Sequence, residues 1–249
     1  MVSVKSSTDL AKMREAGRIS GRALKLAGES IKAGMTTKAL DKIIHDYIVG
    51  CGAKPSFLGY GGFPGSACIS INDEVIHGIP SHKRRIVEGD IVSVDVGACI
   101  NGFHGDTCAT FAVGKVSDEA RKLLEVTEAS LYEGIKAAQV GARIGDVSHA
   151  VEEYCVSRGY GVVRQYCGHG IGRELHESPE VPNYGKAGHG VRLVSGMTFC
   201  VEPMINVKGE GIRVLNDGWT VVTKDGSLSA HFEHAIAITP NGPVILTEP

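Results

Sequence analysis

The strongest constraint on the fold lies in residues 91–113, which read IVSVDVGACINGFHGDTCATFAV. Two runs rich in β-branched residues flank the dipeptide Asn101-Gly102, the strongest short-range signal for a two-residue hairpin turn. These residues predict an antiparallel ribbon in which the numbers of cross-strand partners sum to 203. Side chains alternate along each strand, so one face carries valines as a core wall and the other carries the polar residues.

Two aspartates of this ribbon are expected to share its polar face. The predicted pairing sets Asp95 opposite Cys108 and Gly97 opposite Asp106. The two carboxylates are then diagonal neighbours, about 7–8 Å apart at the backbone. Burying such a pair without partners costs several kcal/mol per ion, so a divalent cation between them is one explanation. The alternative is that one aspartate occupies a turn or edge and only the other is buried.

Composition and charge exclude several classes of protein. Of the 249 residues, 43% are hydrophobic and 22% are charged, and the net charge of −2 predicts no general affinity for DNA or other polyanions. The chain has no run of about 18 apolar residues and no secretory signal, which argues against membrane insertion and secretion. Seven cysteines without CxxC pairs argue against a disulfide framework and predict a reducing, cytoplasmic location.

Apolar residues at helical spacing predict long helices over residues 8–33, 37–49 and 118–138. Thr8 or Asp9 is expected to cap the first helix, because short polar side chains accept hydrogen bonds from the free N–H groups there. Glycines follow the helices, as is common at helix C-termini. Since strand-forming segments lie between the helices, the expected fold class is α+β.

A shift of 107 residues places the first part of the chain on the second. It superimposes Gly34 on Gly141 and Asp95 on Glu202, together with apolar positions of the helices. An offset kept over both a helix and a strand predicts an internal duplication. The predicted ranges are about 8–113 and 118–238 for the halves, and 1–249 for the single pseudo-symmetric domain that they form. Chance alignment of amphipathic patterns is the alternative.

The second half should present two further carboxylates from strand faces. The run MTFCVEP alternates so that Glu202 shares a face with small residues, and Pro203 marks the end or edge of that strand. Residues 229–238 predict a final strand. One of its faces carries Ser229, His231, Glu233 and Ala235. His234 lies on the opposite face with core residues, where a structural role is expected.

Three of the ten histidines are candidates for chemistry. His169 lies in CGHGIG, where the glycines let the backbone approach closely and leave the imidazole free as a metal ligand or a catalytic base. His176, in LHE, and His77, in VIHGIP, are candidates of the same kind. For each of them, an ordinary structural histidine is the alternative.

Taken together, these motifs resemble those of the methionine aminopeptidases over essentially the whole chain. The matching motifs are VIHGIP around His77, DVG around Asp95, FHGDTC around Asp106, CGHGIG around His169, LHESP around His176, VEPM around Glu202 and FEHAI around Glu233. The resemblance implies the pita-bread fold that prolidase and creatinase share, with two pseudo-symmetric halves and an antiparallel sheet flanked by helices. The resemblance is to the short type I form of the family, because no long amino-terminal extension is present and His176 lies close to Glu202 in sequence.

The resemblance also implies a site with two divalent metal ions. Its expected ligands are Asp95, Asp106, His169, Glu202 and Glu233. Such a set of oxygen and imidazole ligands suits Mn, Fe, Co and Zn alike. Catalytic roles are implied for Glu202 as a proton shuttle, His176 as a hydrogen-bond partner of the tetrahedral intermediate, and His77 as a contact to the substrate amide.

For substrate binding, the resemblance implies an apolar pocket for a methionine side chain. The matching positions are Phe57, Tyr60, Phe63, Cys68, His77, Leu175, His176 and Trp219. Phe57 and Leu175 depart from the residues usual in the family, which affects the expected shape of the pocket. Asn72 and Ser229 match positions that hold a monovalent cation, Na or K.

The resulting expectation is an enzyme that removes the initiator methionine from nascent proteins and other peptides with a small second residue. It is expected to act as a cytoplasmic monomer, with transient ribosome contact through the basic run Lys83-Arg84-Arg85. Two alternatives stay open. One is an X-Pro dipeptidase or aminopeptidase P on the same fold, and the other is a non-catalytic binding module of the pita-bread type.

Overall fold

The computed structural model describes residues 2–249, which form four α-helices and fifteen β-strands. Helices α1 to α4 span Ser7–Ser30, Thr37–Gly50, Asp118–Ala137 and Ile144–Val156. Strands β1 to β8 span Lys54–Pro55, Ala67–Ile71, Glu74–Ile76, Ile91–Ile100, Phe103–Ala112, Gly161–Val162, Gly168–Gly170 and Glu177–Val181. Strands β9 to β15 span Thr198–Val201, Met204–Asn206, Ile212–Val214, Val221–Thr223, Ser229–His231, Glu233–Thr239 and Gly242–Ile245. Among these residues, no helix has the length and apolar character needed to cross a membrane.

The predicted hairpin is confirmed as β4 and β5, joined at Asn101 and Gly102. Both turn residues have positive φ, 54° and 74°, as a type I′ turn requires. Pairing continues without a bulge from Ile91 opposite Ala112 to Ile100 opposite Phe103, so every pair of numbers sums to 203. The turn chemistry therefore sets the register of the ribbon at the centre of the molecule.

This ribbon lies inside a nine-stranded antiparallel sheet. The strands follow the order β1-β4-β5-β14-β9-β7-β8, with β2 also paired to β4 and β15 to β14. Two small three-stranded sheets, β13-β10-β6 and β11-β12-β3, lie beside it. The expectation of an α+β fold with an antiparallel sheet flanked by helices is confirmed.

Helices cover the apolar face of the central sheet in two separate cores. In the first, Val92, Val94 and Val96 are fully buried among side chains of α1 and α2. A further core joins α3 and α4 to apolar residues of β9 and β14. Because side chains alternate along a strand, this leaves Asp95 and its neighbours on the opposite face.

Two predictions about the first helix are wrong. Its N-cap is Ser6, where Thr8 or Asp9 was expected, and Asp9 completes a capping box by accepting from the Ser6 N–H group at 3.1 Å. The helix ends at Ser30, three residues before the predicted end, and Ile31 donates its N–H to the Ala27 carbonyl. The spacing of apolar residues does not locate the N-cap, because a capping box depends on two short polar side chains.

The final strand predicted over residues 229–238 is two strands, β13 and β14, which belong to different sheets. They separate at Phe232, whose N–H donates to the carbonyl of Pro203 at 3.3 Å. The neighbouring strands β9 and β10 separate at the same level, across Glu202 and Pro203, as expected for a proline that has no N–H to donate.

The 107-residue offset recurs in the backbone. Gly34 and Gly141 have φ values of 89° and 88° and donate to the carbonyls of Ile86 and Leu193, which are themselves 107 residues apart. The isolated bridge between residues 36 and 85 likewise matches the bridge between residues 143 and 192. These pairs support the predicted duplication, which stays a prediction.

Candidate metal centre and substrate cavity

The sheet register brings carboxylates from both parts of the chain into one row. Asp95 on β4 pairs with Cys108 on β5, and Cys108 pairs with Glu233 on β14. Val201 pairs with His234, so Glu202, directly after β9, continues the row beside Glu233. Three segments distant in sequence therefore contribute acids to the same face of the sheet.

The five predicted ligands meet at this row. Ligand atoms of Asp106, His169 and Glu233 lie within 4.8 Å of one another, and the Cys200 sulfur lies in the same group. The side chains of Asp95 and Asp106 contact each other. The Glu202 Oε1 atom lies 3.5 Å from His169 Nε2.

His169 lies on β7 between two glycines, and the backbone around it leaves no room for larger residues at those two positions. A Cβ atom on Gly168 would collide with the Cys200 carbonyl, and one on Gly170 would collide with the Ser178 carbonyl. His169 Nδ1 lies 2.9 Å from the Gly170 carbonyl, which can only accept, so the N–H is on Nδ1. The Nε2 lone pair therefore faces the carboxylates, as in a metal-ligating histidine.

Burial makes the charged forms of these acids costly. It raises the pKa of Asp95 to about 7, and it raises the pKa of Asp106 well above its usual range, with Glu233 and Asp95 adding repulsion. The pKa values of Glu202 and Glu233 are also well raised, first by burial and then by the other acids. Burial lowers the pKa of His169 to about 3, which keeps the ring neutral.

The unpartnered oxygen atoms of the four acids also fit the binding of a divalent cation. One buried oxygen of each acid has no hydrogen-bond partner among the described residues: Asp95 Oδ1, Asp106 Oδ1, Glu202 Oε1 and Glu233 Oε1. Buried polar atoms normally have partners, and four converging carboxylate oxygens without donors are typical of a metal site. With His169 Nε2, they form a set of oxygen and nitrogen donors.

A cavity of about 560 Å³ opens beside these acids. It is lined by every predicted pocket residue: Phe57, Tyr60, Phe63, Cys68, His77, Leu175, His176 and Trp219. Phe63 and Trp219 meet edge to face with ring centroids 5.2 Å apart. The Trp219 loop is held by Asp217, which accepts hydrogen bonds from Trp219 and Thr220 at 2.9 Å.

The two candidate histidines outside the ligand set lie at the same cavity. His176 Nδ1 is 2.7 Å from the Tyr60 hydroxyl, and its ring lies against that of His169 at 4.2 Å between centroids. His77 has a φ of 59°, rare for a residue with a side chain, and Tyr166 and Trp219 contact it edge to face. Burial lowers the pKa of His77 to about 4 and also lowers that of His176.

The residues expected at a monovalent cation also lie together. The Ser229 N–H donates to the Asn72 carbonyl at 2.9 Å, and Asn72 has a φ of 58°. The side-chain amide of Asn72 already donates a hydrogen bond to Asp90 and accepts one from the Ile91 N–H. Asn206, which pairs with Ser229, has a buried Oδ1 without a partner among the described residues, so this oxygen is available to a cation.

Sequence reasoning missed two residues of the site. His231 lines the cavity with a buried Nε2 atom, 3.8 Å from Glu202 Oε2. Cys200 contributes its sulfur beside Glu233, where burial raises the pKa of the thiol. The alternation of side chains along the strands places His231 on the same face as Glu233, and Cys200 on the same face as Glu202. That pattern is the sequence feature from which both residues could have been predicted at the site.

Comparisons with known proteins identify the family of the chain. Residues 11–240 match the profile of metallopeptidase family M24, and the chain belongs to this family. Within it, the chain is 52% identical over 247 residues to the methionine aminopeptidase of Clostridium acetobutylicum, with 99% of each protein covered. It is 49% identical to methionine aminopeptidase 1 of Bacillus subtilis, again over 99% of each.

Solved structures give the same result for the fold. The methionine aminopeptidase of Thermotoga maritima has a TM-score of 0.99 at 44% identity, with all of both chains covered. A prolidase from Pyrococcus furiosus has a TM-score of 0.81 at 24% identity and matches over 99% of this chain and 65% of its own, a likeness of fold alone. The expected family and its pita-bread fold are therefore confirmed.

Proposed function

We propose that this protein is a methionine aminopeptidase that removes the initiator methionine from nascent proteins and other peptides when the second residue is small. The observation that carries the proposal is the convergence of four unpartnered carboxylate oxygens and His169 Nε2 beside an aromatic, apolar cavity. A hydrolytic centre and a pocket for one side chain then share one opening, as removal of a terminal residue requires.

Two divalent ions would be held by Asp95, Asp106, His169, Glu202 and Glu233. When bound, such ions supply a Lewis acid for the scissile carbonyl and lower the pKa of water. Mn, Fe, Co and Zn all suit this donor set. A monovalent cation, Na or K, would be held by Asn72 and Ser229, next to the start of β13.

The protein's own groups would handle the protons and the developing charge. Glu202 has a raised pKa, so its carboxylate is a stronger base than an ordinary glutamate and suits a proton shuttle. His176 stays neutral at pH 7, and Tyr60 fixes its ring so that Nε2 is free to hydrogen-bond the oxygen that gains charge. His77, in its fixed backbone conformation, would contact the amide after the first residue.

Methionine fits the chemistry of the pocket walls. Phe57, Phe63 and Leu175 are buried apolar side chains, and Cys68 adds a polarisable sulfur. A thioether makes favourable contacts with aromatic rings, and its unbranched chain suits a pocket lined by Phe63 and Trp219. Tyr60 and His176 are exposed at the rim, where they would limit the size of the second residue.

The location and partners are further parts of this proposal. We expect a cytoplasmic monomer that meets nascent chains at the ribosome through Lys83, Arg84 and Arg85. Arg84 pairs with Glu74 at 3.3 Å, and Arg85 donates to the Gly34 carbonyl at 2.8 Å, so Lys83 would dominate such a contact. Salt-sensitive co-sedimentation with ribosomes, lost on charge reversal of the run, would support this.

Release of free methionine from Met-Ala-Ser tests the function. We expect hydrolysis by metal-loaded protein, loss of hydrolysis with a chelator, and recovery when the ion is returned. Ala-Pro, an X-Pro substrate, is the matched comparison. Hydrolysis of Ala-Pro but not of Met-Ala-Ser would support an X-Pro dipeptidase instead, and no hydrolysis of either would support a binding module.

A further inference from the structure

The Glu202 carboxylate lies between two imidazole rings. His169 Nε2 is 3.5 Å from Oε1, and His231 Nε2 is 3.8 Å from Oε2. The N–H of His169 is on Nδ1, where it faces the Gly170 carbonyl, so its Nε2 has a lone pair and no proton to donate. His169 therefore leaves Glu202 without a hydrogen bond.

No other donor serves this carboxylate. Among residues 2–249, no N–H or O–H group hydrogen-bonds to either side-chain oxygen of Glu202, and Asn183 donates only to its backbone carbonyl, at 2.9 Å. An ionised carboxylate buried in a protein normally accepts hydrogen bonds as well as ligating a metal, because each unused oxygen lone pair adds to the cost of burial.

His231 is held where it can fill this gap. Its side chain is buried, with the residue only 2% exposed, and Nε2 has no partner among the described residues. Thr110 fixes its backbone from β5, accepting from the His231 N–H at 3.0 Å and donating to the His231 carbonyl at 2.8 Å. Thr110 therefore holds the backbone of His231 in place, with His231 Nε2 on the side of Glu202 Oε2, 3.8 Å away.

We propose that His231 is a positioning residue that donates its Nε2–H to Glu202 Oε2 and so directs Oε1 toward the ion shared with His169. This role deepens the proposed function and rests on its metal centre. Donors to ligating carboxylates typically change metal affinity by about 10- to 100-fold, and we expect an effect of this size.

The test uses full-length protein freed of metal by a chelator and titrated with Co²⁺ alone. His231→Leu removes the donor, whereas His231→Gln keeps an N–H of similar reach. We expect the leucine variant to bind Co²⁺ about 10- to 100-fold more weakly, with altered visible absorption bands, and the glutamine variant to remain within about threefold of the wild type. His231→Asn, whose amide is too short to reach, is expected to behave like the leucine variant.

His234→Leu is the matched control, since His234 lies on the opposite face of the next strand, where it contacts Thr247 at 2.7 Å. It should lower thermal stability but leave Co²⁺ binding unchanged. The proposal is overturned if His231→Leu and His231→Asn bind Co²⁺ like the wild type, or if His231→Gln loses as much affinity as they do. These outcomes do not depend on peptide turnover, so wild-type protein that binds Co²⁺ but releases no methionine would contradict only the proposed function.

Discussion

Replacing Asp95 by asparagine should stabilise the metal-free protein, because one oxygen of its carboxylate is buried without a hydrogen-bond partner among the described residues and burial makes the charged form costly. Its Oδ1 atom has no partner among the described residues, and burial raises its pKa from 3.8 to about 7. The folded protein therefore holds a proton on Asp95 between about pH 4 and pH 7, where the unfolded chain has lost it.

The size of the effect follows from this difference in pKa. Each tenfold change in proton affinity corresponds to about 1.36 kcal/mol, so the full cost of ionising Asp95 in the fold is about 4 kcal/mol. A raised pKa favours the folded state at low pH, and this contribution is lost as the pH rises through about 7. The gain from Asp95→Asn should thus be small at pH 4 and approach about 4 kcal/mol at pH 8, or roughly 8–16 °C in Tm.

Thermal or urea unfolding of chelated protein between pH 5 and pH 8 measures this gain. Asp90→Asn is the control, because Asp90 is buried but accepts hydrogen bonds from Asn72 and Val87, and its loss should destabilise the protein. With saturating metal the order should reverse, since binding adds stability only to a protein that keeps its ligands. A metal-free Asp95→Asn variant no more stable than the wild type at pH 8 would refute the reasoning.

Three further predictions concern the site. His176→Ala and Glu202→Ala should each lower kcat on Met-Ala-Ser by at least about 10²-fold, and near-normal turnover in both would reject their assigned roles. Gly168→Ala should cost about 1–3 kcal/mol in unfolding experiments and weaken metal binding, because its Cβ meets the Cys200 carbonyl, whereas Gly50→Ala, in open space at the end of α2, should be tolerated. Among Met-Gly, Met-Val, Met-Leu and Met-Lys, the first should be cleaved fastest, and equal rates for all four would rule out a narrow entrance at Tyr60 and His176.

The sequence by itself determined the central ribbon and the family. Asn101-Gly102 is a local signal, and a two-residue turn fixes strand register without help from the rest of the chain, so the partners of Asp95 and Asp106 followed from counting. The seven motifs led to the family and fold that the comparisons confirm. The assignments of metal, catalytic and pocket residues remain predictions, although all of these residues line or adjoin one cavity.

Only the tertiary structure decided which other groups complete the site. The break between β13 and β14 occurs at Phe232, which donates a hydrogen bond to Pro203, and the backbone of His231 is held by Thr110, which is 121 positions away in sequence. Cys200 reaches the acids because β9 pairs with β14 in one particular register. Alternation along a strand predicts which face a side chain occupies, but its neighbours on that face come from other strands. Which neighbours these are depends on how distant strands pair and pack, and local sequence patterns carry no information about that pairing.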